Sequence, residues 1–200
     1  ANVTVNGEAI FTCNFALTKK NERLSDLIAK AGGLSKSAYA KGARLMRRMT
    51  ADEIRQKQDA VRFATKGTGK DSVSLSSLEV DQTYSVGIEL EKALAKPKSD
   101  EDLVLREGDV LFVPKYVSTV TVNGAVMYPN TVLYQKGSGI DYYIGQAGGF
   151  GNRALKRRAY VVYMNGTVSR LRRNTANAIE PGCEIIVPSK GERKKMTTAG

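Results

Sequence analysis

The sequence predicts an α+β protein made of two tandem copies of one unit, each a mixed β-sheet with a single helix laid across one face. Three observations predict it. Val3-Thr4-Val5-Asn6-Gly7 recurs as Val120-Thr121-Val122-Asn123-Gly124, 117 residues later. Leu24, Leu27, Ile28 and Ala31, ahead of Gly32-Gly33, recur as Ile140, Tyr143, Ile144 and Ala147, ahead of Gly148-Gly149. Gly108-Asp109-Val110-Leu111-Phe112-Val113-Pro114 is echoed by Gly182-Cys183-Glu184-Ile185-Ile186-Val187-Pro188. Three blocks in one order amount to a duplication, and a repeat sets the architecture.

Each element follows from its residues. The two VTVNG blocks alternate, are β-branched and end in Asn-Gly, which reads as a strand entering a hairpin. The apolar set at i, i+3, i+4 and i+7 is one face of a short helix, and the paired glycines supply its left-handed cap. Arg44–Arg47 and Ala159–Tyr163 read as middle strands. The closing strands, VLFVP and EIIVP, stop at proline. Strand, hairpin, strand, helix, strand and closing strand is the order of a β-grasp, or ubiquitin-like, unit. Residues 1–116 form the first unit and 117–190 the second, with a polar basic tail over 191–200. The first unit carries an insertion over about 50–100. Thr50 and Glu53 make a capping box for a helix that runs to about Ala64. Gly67–Lys70 reads as its exit loop, and Ser72–Leu78 and Tyr84–Leu90 as strands. The second unit has only a tight Asn165-Gly166 turn at that place. The short hinge at Lys115–Ser118 predicts that the two units pack in a fixed arrangement.

Two hundred residues suffice for one to two domains. No apolar run approaches the roughly 20 residues of a membrane span. The chain opens at Ala1 without a basic-then-apolar leader, as a piece excised from a longer chain would. There is no histidine, which removes Ser-His-Asp and Cys-His catalysis and His-ligated metal. Cys13 and Cys183 are too few for a zinc cluster; one disulfide between them is compatible with the count. No carboxylate pair, lysine or metal set forms a catalytic constellation. Asp100, Glu101 and Asp102 read as part of a polar linker. Gly67-Thr68-Gly69-Lys70 lacks the phosphate-loop spacing. The residues therefore predict no catalytic residue, no metal and no cofactor.

The net charge of +11 is uneven. Residues 1–115 carry 19 Lys/Arg and 16 Asp/Glu, whereas residues 116–200 carry 12 and 4. Such a balance favours an anionic partner: acidic glycan, nucleic acid or phospholipid. Arg153, Lys156, Arg157, Arg158, Arg170, Arg172 and Arg173 form a run with no acid among them. Arg158 and Arg170 flank the Asn165-Gly166 hairpin, which brings both groups to one end of the sheet. Arginine forks match carboxylates and phosphates; a solvated basic face is the plainer alternative. Seven of the nine tyrosines lie from Tyr116 onward, at the boundary or in the second unit. Tyr143 sits on the apolar helical face and is read as core, whereas its neighbour Tyr142 points elsewhere and is read as exposed. Tyr160 and Tyr163 are oddly spaced and cannot share one face of a regular strand. Arg157, Arg158, Arg172 and Tyr142 are the candidate ligand contacts. Asn6, Gly7, Asn123 and Gly124 are read as turn residues, and Gly32, Gly33, Gly148 and Gly149 as helix caps. Approach of bare backbone to a ligand, or an anion nest, is the alternative at these positions.

The VTVNG blocks, L-x-x-L-I-x-x-AGG and L-x-x-GD-V-L-F-V-P together resemble the soluble-ligand-binding β-grasp family. Two such units in tandem resemble the periplasmic part of an outer-membrane polysaccharide (capsule or exopolysaccharide) export protein. The Leu45–Glu53 and Ile88–Pro114 stretches resemble capsule exporters of Bacteroidetes type. Cys183 departs from the pattern by replacing the Asp109-type residue. The resemblance implies a non-catalytic binding and assembly module, periplasmic, within an outer-membrane-associated protein. It implies contact with a polysaccharide, acidic in view of the charge, and with copies of the same subunit in a ring. An inner-membrane polysaccharide co-polymerase or tyrosine kinase is the further implied partner. Nucleic-acid binding is the competing class, but no helix-turn-helix, zinc finger or RNP pattern supports a specific site. A small-ligand site is a further variant.

Overall fold

A computed structural model of the chain describes residues 1–66, 82–172 and 176–191. The chain divides into two compact units, Ala1–Pro114 and Lys115–Gly200, each of α+β class. The predicted loop at Gly67–Lys70, the strand at Ser72–Leu78, Arg173 and all but the first residue of the tail lie outside the described residues.

In the first unit, β1 (Asn2–Gly7), β2 (Asn14–Ala16), α1 (Leu24–Lys30), β3 (Arg44–Arg48), α2 (Ala51–Lys66), β4 (Thr83–Val86), α3 (Leu90–Ala95) and β5 (Val110–Val113) follow in order. The sheet runs β2-β1-β5-β3-β4. β1 and β5 are parallel, with Val5 opposite Leu111, and the other neighbours are antiparallel. In the second, β6 (Thr119–Gly124), β7 (Asn130–Leu133), α4 (Ile140–Gln146), β8 (Tyr160–Val162), β9 (Val168–Arg170) and β10 (Glu184–Val187) build the sheet β7-β6-β10-β8-β9. Again one central pair, β6 and β10, is parallel. Alternation decides which face is buried. Val3, Val5, Leu45, Leu111 and Val113 point inward and meet Leu24, Leu27 and Ile28 of α1 in one cluster. Val120, Val122, Val161, Ile185 and Val187 meet Ile140, Tyr143 and Ile144 of α4 in the other.

The helix ends are built alike. The Gly32 N–H donates to the Ala29 carbonyl (3.1 Å) and that of Gly33 to Ile28 (2.9 Å). Gly148 and Gly149 repeat this toward Gly145 (3.0 Å) and Ile144 (2.9 Å). This is a Schellman end, which needs a left-handed residue just past the helix. At the start of α2, the Thr50 N–H donates to the Glu53 carboxylate (2.7 Å) and the Glu53 N–H to the Thr50 hydroxyl (3.2 Å), closing the capping box.

Three expectations are corrected. First, Asn6-Gly7 and Asn123-Gly124 are not the middle of tight hairpin turns. Both pairs end their strands, in register with Phe112-Val113 and Ile186-Val187 of the parallel neighbours, and the connections follow over 8–13 and 125–129. A Cβ at Gly7 would collide with the Val113 carbonyl oxygen, and one at Gly124 with that of Val187. Those carbonyls accept from the next N–H groups, of Glu8 (2.9 Å) and Ala125 (2.7 Å). Asn-Gly carries a strong turn signal, but the parallel partner holds the strand to its last residue.

Second, the strand expected over Tyr84–Leu90 stops at Val86, and Leu90 opens helix α3. Leu90, Ala93 and Leu94 stand at helical spacing, and the first two are fully buried. Third, Asp102 is no linker residue: it is fully buried. It accepts from the Ser25 N–H (2.9 Å) and hydroxyl (2.6 Å) and from the Lys98 N–H (2.8 Å). A carboxylate with three such donors satisfies the first turn of α1 from outside the helix.

Candidate functional site

The structure gathers Lys156, Arg157 and Arg172 of the basic run around a cavity of about 580 Å³. Its apolar wall is Ile140, Phe150 and Leu171, and its polar wall is Asp141, Lys156, Arg157 and Arg172. Lys156 and Arg157 stand on a 3-10 turn, Lys156–Arg158, that follows Leu155. The Leu155 N–H donates to the Pro188 carbonyl (2.8 Å) and the Arg158 N–H to Leu155 (2.8 Å), so the turn is tied to the end of β10. The Leu171 N–H donates to the Ala159 carbonyl (3.0 Å). That bond extends the β8–β9 pair, where Tyr160 faces Arg170, and brings Arg172 to the same end as the turn. The Lys156 ammonium lies 5.3 Å from the centre of the Phe150 ring, within cation–π range.

Of the four residues selected from the sequence, Arg157 and Arg172 line the cavity. Arg158 shares the 3-10 turn but does not line it, and Tyr142 follows Asp141 on α4 with its ring edge-on to Tyr143 at 5.1 Å. Tyr142 is 37% exposed. Tyr143 is core, as its spacing implied. Its hydroxyl donates to the Gln135 carbonyl (3.1 Å) and accepts from the Gln135 N–H (2.9 Å), and burial pushes its pKa up. Tyr163 lies beyond the end of β8, and its hydroxyl donates to the Ala178 carbonyl at 2.5 Å. Asn165 closes its own turn, with its side-chain oxygen accepting from the Thr167 N–H (3.0 Å) and hydroxyl (2.6 Å).

Sequence reasoning missed the apolar wall and the reason the cavity exists. Val86 and Ser169 hold the same register place, opposite Leu45 and Val161. Leu171 therefore corresponds to Ile88, and Arg172 to Glu89. The repeat also matches Ile140 with Leu24 and Phe150 with Leu34, each of these last partners bridging the loop after the first strand. In the first unit the chain continues from Glu89 into α3, which packs on α1 and on the 3-10 turn Ala40–Gly42. In the second unit the path from β9 to β10 is shorter, 171–183 against 87–109, and its described residues hold one 3-10 turn, Ala176–Ala178, and no α-helix. The cavity is the seat that α3 fills in the first copy. A second missed feature is a pair of exposed apolar side chains repeated in both copies, Ile10-Phe11 and Met127-Tyr128. Each aromatic ring rests on the glycine of the helix end, Gly32 or Gly148.

Both cysteines are free thiols, Cys13 exposed and Cys183 buried. Burial pushes the Cys183 thiol up to about 11, which leaves it a packing residue and not a nucleophile at neutral pH. No group of three or more acidic or thiol side chains among the described residues is placed to hold a metal ion. Among them, no helix is long and apolar enough to cross a membrane.

The chain resembles known proteins at two levels. It is 34% identical over 96 residues to a polysialic acid transport protein, KpsD, of Escherichia coli, and 33% identical over 96 residues to a second KpsD from the same species. Each match covers 48% of this chain and 17% of the relative, so the matched stretch spans about a sixth of those proteins. The family model described as the SLBB domain matches residues 2–57 and 119–171, once in each unit. Together these two matches take in more than half of the sequence, and the chain belongs to the SLBB domain family.

Proposed function

We propose that this chain is a non-catalytic binding module of a polysaccharide export protein, and that its second unit holds an anionic polysaccharide at the cavity beside the Lys156–Arg158 turn. One observation carries the reading: Lys156, Arg157 and Arg172 converge on one concave site with an apolar wall. Guanidinium forks suit the carboxylate of an acidic sugar. A volume of about 580 Å³ falls in the range of ligand pockets. The KpsD relatives are named for polysialic acid, a polymer with a carboxylate on every residue. Arg158 and Tyr142 stand beside the cavity and serve the neighbouring sugars of the chain.

We read each unit as a β-grasp, its mixed five-stranded sheet covered by one helix. The module works in the periplasm as part of an outer-membrane-associated exporter. Copies of it in a ring sum weak contacts through avidity, and the inner-membrane co-polymerase or kinase is the partner that delivers the polymer.

The test is a titration of the chain with polysialic acid, dextran and an oligonucleotide of matched length, at low and physiological salt. Polysialic acid is expected to bind at physiological salt, and R157E/R172E to weaken it by about 100-fold, two charge-assisted contacts being lost. If polysialic acid and the oligonucleotide bind only at low salt, the basic face is a field without a site. A preference for the oligonucleotide that survives physiological salt favours nucleic acid instead.

A further inference from the structure

We propose that the ligand of the second-unit cavity carries an apolar acyl group beside its carboxylate, so that the site selects N- or O-acylated acidic sugars from other polyanions. The inference rests on the glycan reading of the cavity and narrows it to a substrate class.

The argument begins with the first unit. There, α3 lies on α1 and on the 3-10 turn with its Leu90 and Ala93 fully buried, and Leu90 shares one apolar cluster with Leu24 and Ile88, against which Leu34 and Leu94 pack. The seat is apolar because its occupant is apolar. Among the described residues of the second unit no α-helix fills the seat, yet Ile140, Phe150 and Leu171 keep it apolar. A floor left without an occupant would expose this surface to water at a cost proportional to its area. A floor under a purely hydrophilic polyanion would gain nothing from it. The polar wall has changed in a definite direction. Where the first copy has Ala40, Lys41 and Glu89, the second has Lys156, Arg157 and Arg172, so two positions gain a cation and one of them loses an acid. Apolar contact from within the chain has given way to an apolar floor with a cationic rim. Its complement is a small group with a greasy face and a negative charge. Asp141, on the same wall, accepts from a sugar hydroxyl or an acyl-amide N–H. An acylated acidic sugar supplies all three features.

Competing ligands divide the prediction cleanly. The full chain is titrated at physiological salt with three oligomers of equal length: oligosialic acid, which has carboxylate and acetamide; oligogalacturonate, which has carboxylate alone; and an N-acetylglucosamine oligomer, which has acetamide alone. Oligosialic acid is expected to bind at least about tenfold more tightly than oligogalacturonate, the discrimination one or two buried carbon groups provide. Phe150→Ser should bring that ratio toward one. Phe150→Leu, which keeps an apolar wall and removes only the ring, should preserve it. Circular dichroism of both variants checks that the fold is kept. Equal affinity for the two acidic oligomers overturns the acyl inference and leaves the anionic-glycan reading standing. Binding of the N-acetylglucosamine oligomer as tight as that of oligosialic acid overturns the cationic half of the site. If neither acidic oligomer binds, both the reading and the inference fall.

Discussion

Arg47 and Asp109 form a buried bidentate ion pair, with Nε to Oδ1 at 3.0 Å and Nη2 to Oδ2 at 2.8 Å. Nη2 also donates to the Val104 carbonyl at 3.0 Å, and the Arg106 N–H completes the carboxylate at 2.8 Å. The carboxylate holds the Arg47 guanidinium above its ordinary pKa. The second copy solves the same place without charge. Two residues beyond the Leu45–Leu111 pair lie Arg47 and Asp109; two residues beyond the matching Val161–Ile185 pair lie Tyr163 and Cys183. The Tyr163 hydroxyl reaches the Ala178 carbonyl, the counterpart of Val104, so the same backbone acceptor is satisfied in both. Breaking a buried pair strands a charge, whereas replacing both partners can be neutral. Arg47→Met should therefore cost about 3–5 kcal/mol, read as a lowered urea midpoint. The double variant R47Y/D109C, which copies the second unit, should recover most of that loss. If the double variant is as unstable as Arg47→Met, the two copies do not share an interchangeable core.

At the level of elements, the sheets depend on a close approach that the repeated VTVNG block conceals. Gly124 has φ of +91° and Gly149 of +92°, so alanine is strained at both. They differ in what the added methyl meets. At position 124 it runs into the Val187 carbonyl, and at 149 it meets nothing within 4 Å. Gly149→Ala should cost about 1 kcal/mol, the left-handed penalty alone. Gly124→Ala should cost about 2–3 kcal/mol or more, because backbone must move as well. Thermal melts of the two variants give the comparison, and equal losses would mean that the strand ends shift freely. The same elements show how far the sequence could be read. Duplication, helix faces, capping box and proline stops are local patterns, and the structure keeps them. The Asn-Gly pairs misled because local turn propensity was overridden by a parallel partner more than 60 residues away in each unit. Tyr84–Leu90 misled because Leu90, Ala93 and Leu94 follow too closely on a strand for periodicity to separate them. Arg157 and Arg172 were legible as charge. The cavity between them was not, because it lies where the first copy carries α3 and the described residues of the second carry no α-helix, which a single sequence shows only as a shorter gap.

For the whole molecule, the decisive fact is that, among the described residues, no strand pair and neither core crosses from one unit to the other. Every paired strand lies within Ala1–Pro114 or within Lys115–Gly200. One core runs from Val3 to Val113 and the other from Val120 to Val187. Each core is closed by helices of its own unit, α1 and α3 in the first and α4 in the second, and by a parallel central pair inside the unit. Domains of this size fold alone when their apolar face is covered, and here each unit covers its own. Cleavage at a protease site placed between Pro114 and Thr119 should therefore yield two fragments that each melt cooperatively. Each fragment's amide spectrum should show the dispersion of a folded domain. The second fragment should also retain the glycan affinity of the intact chain, since the described residues that line the cavity all belong to it. Two folded fragments with lost affinity would place part of the site in the first unit. An unfolded second fragment would mean that burial against the first unit replaces the stabilisation that α3 provides in the first copy, and that the open seat is tolerated only in the tandem.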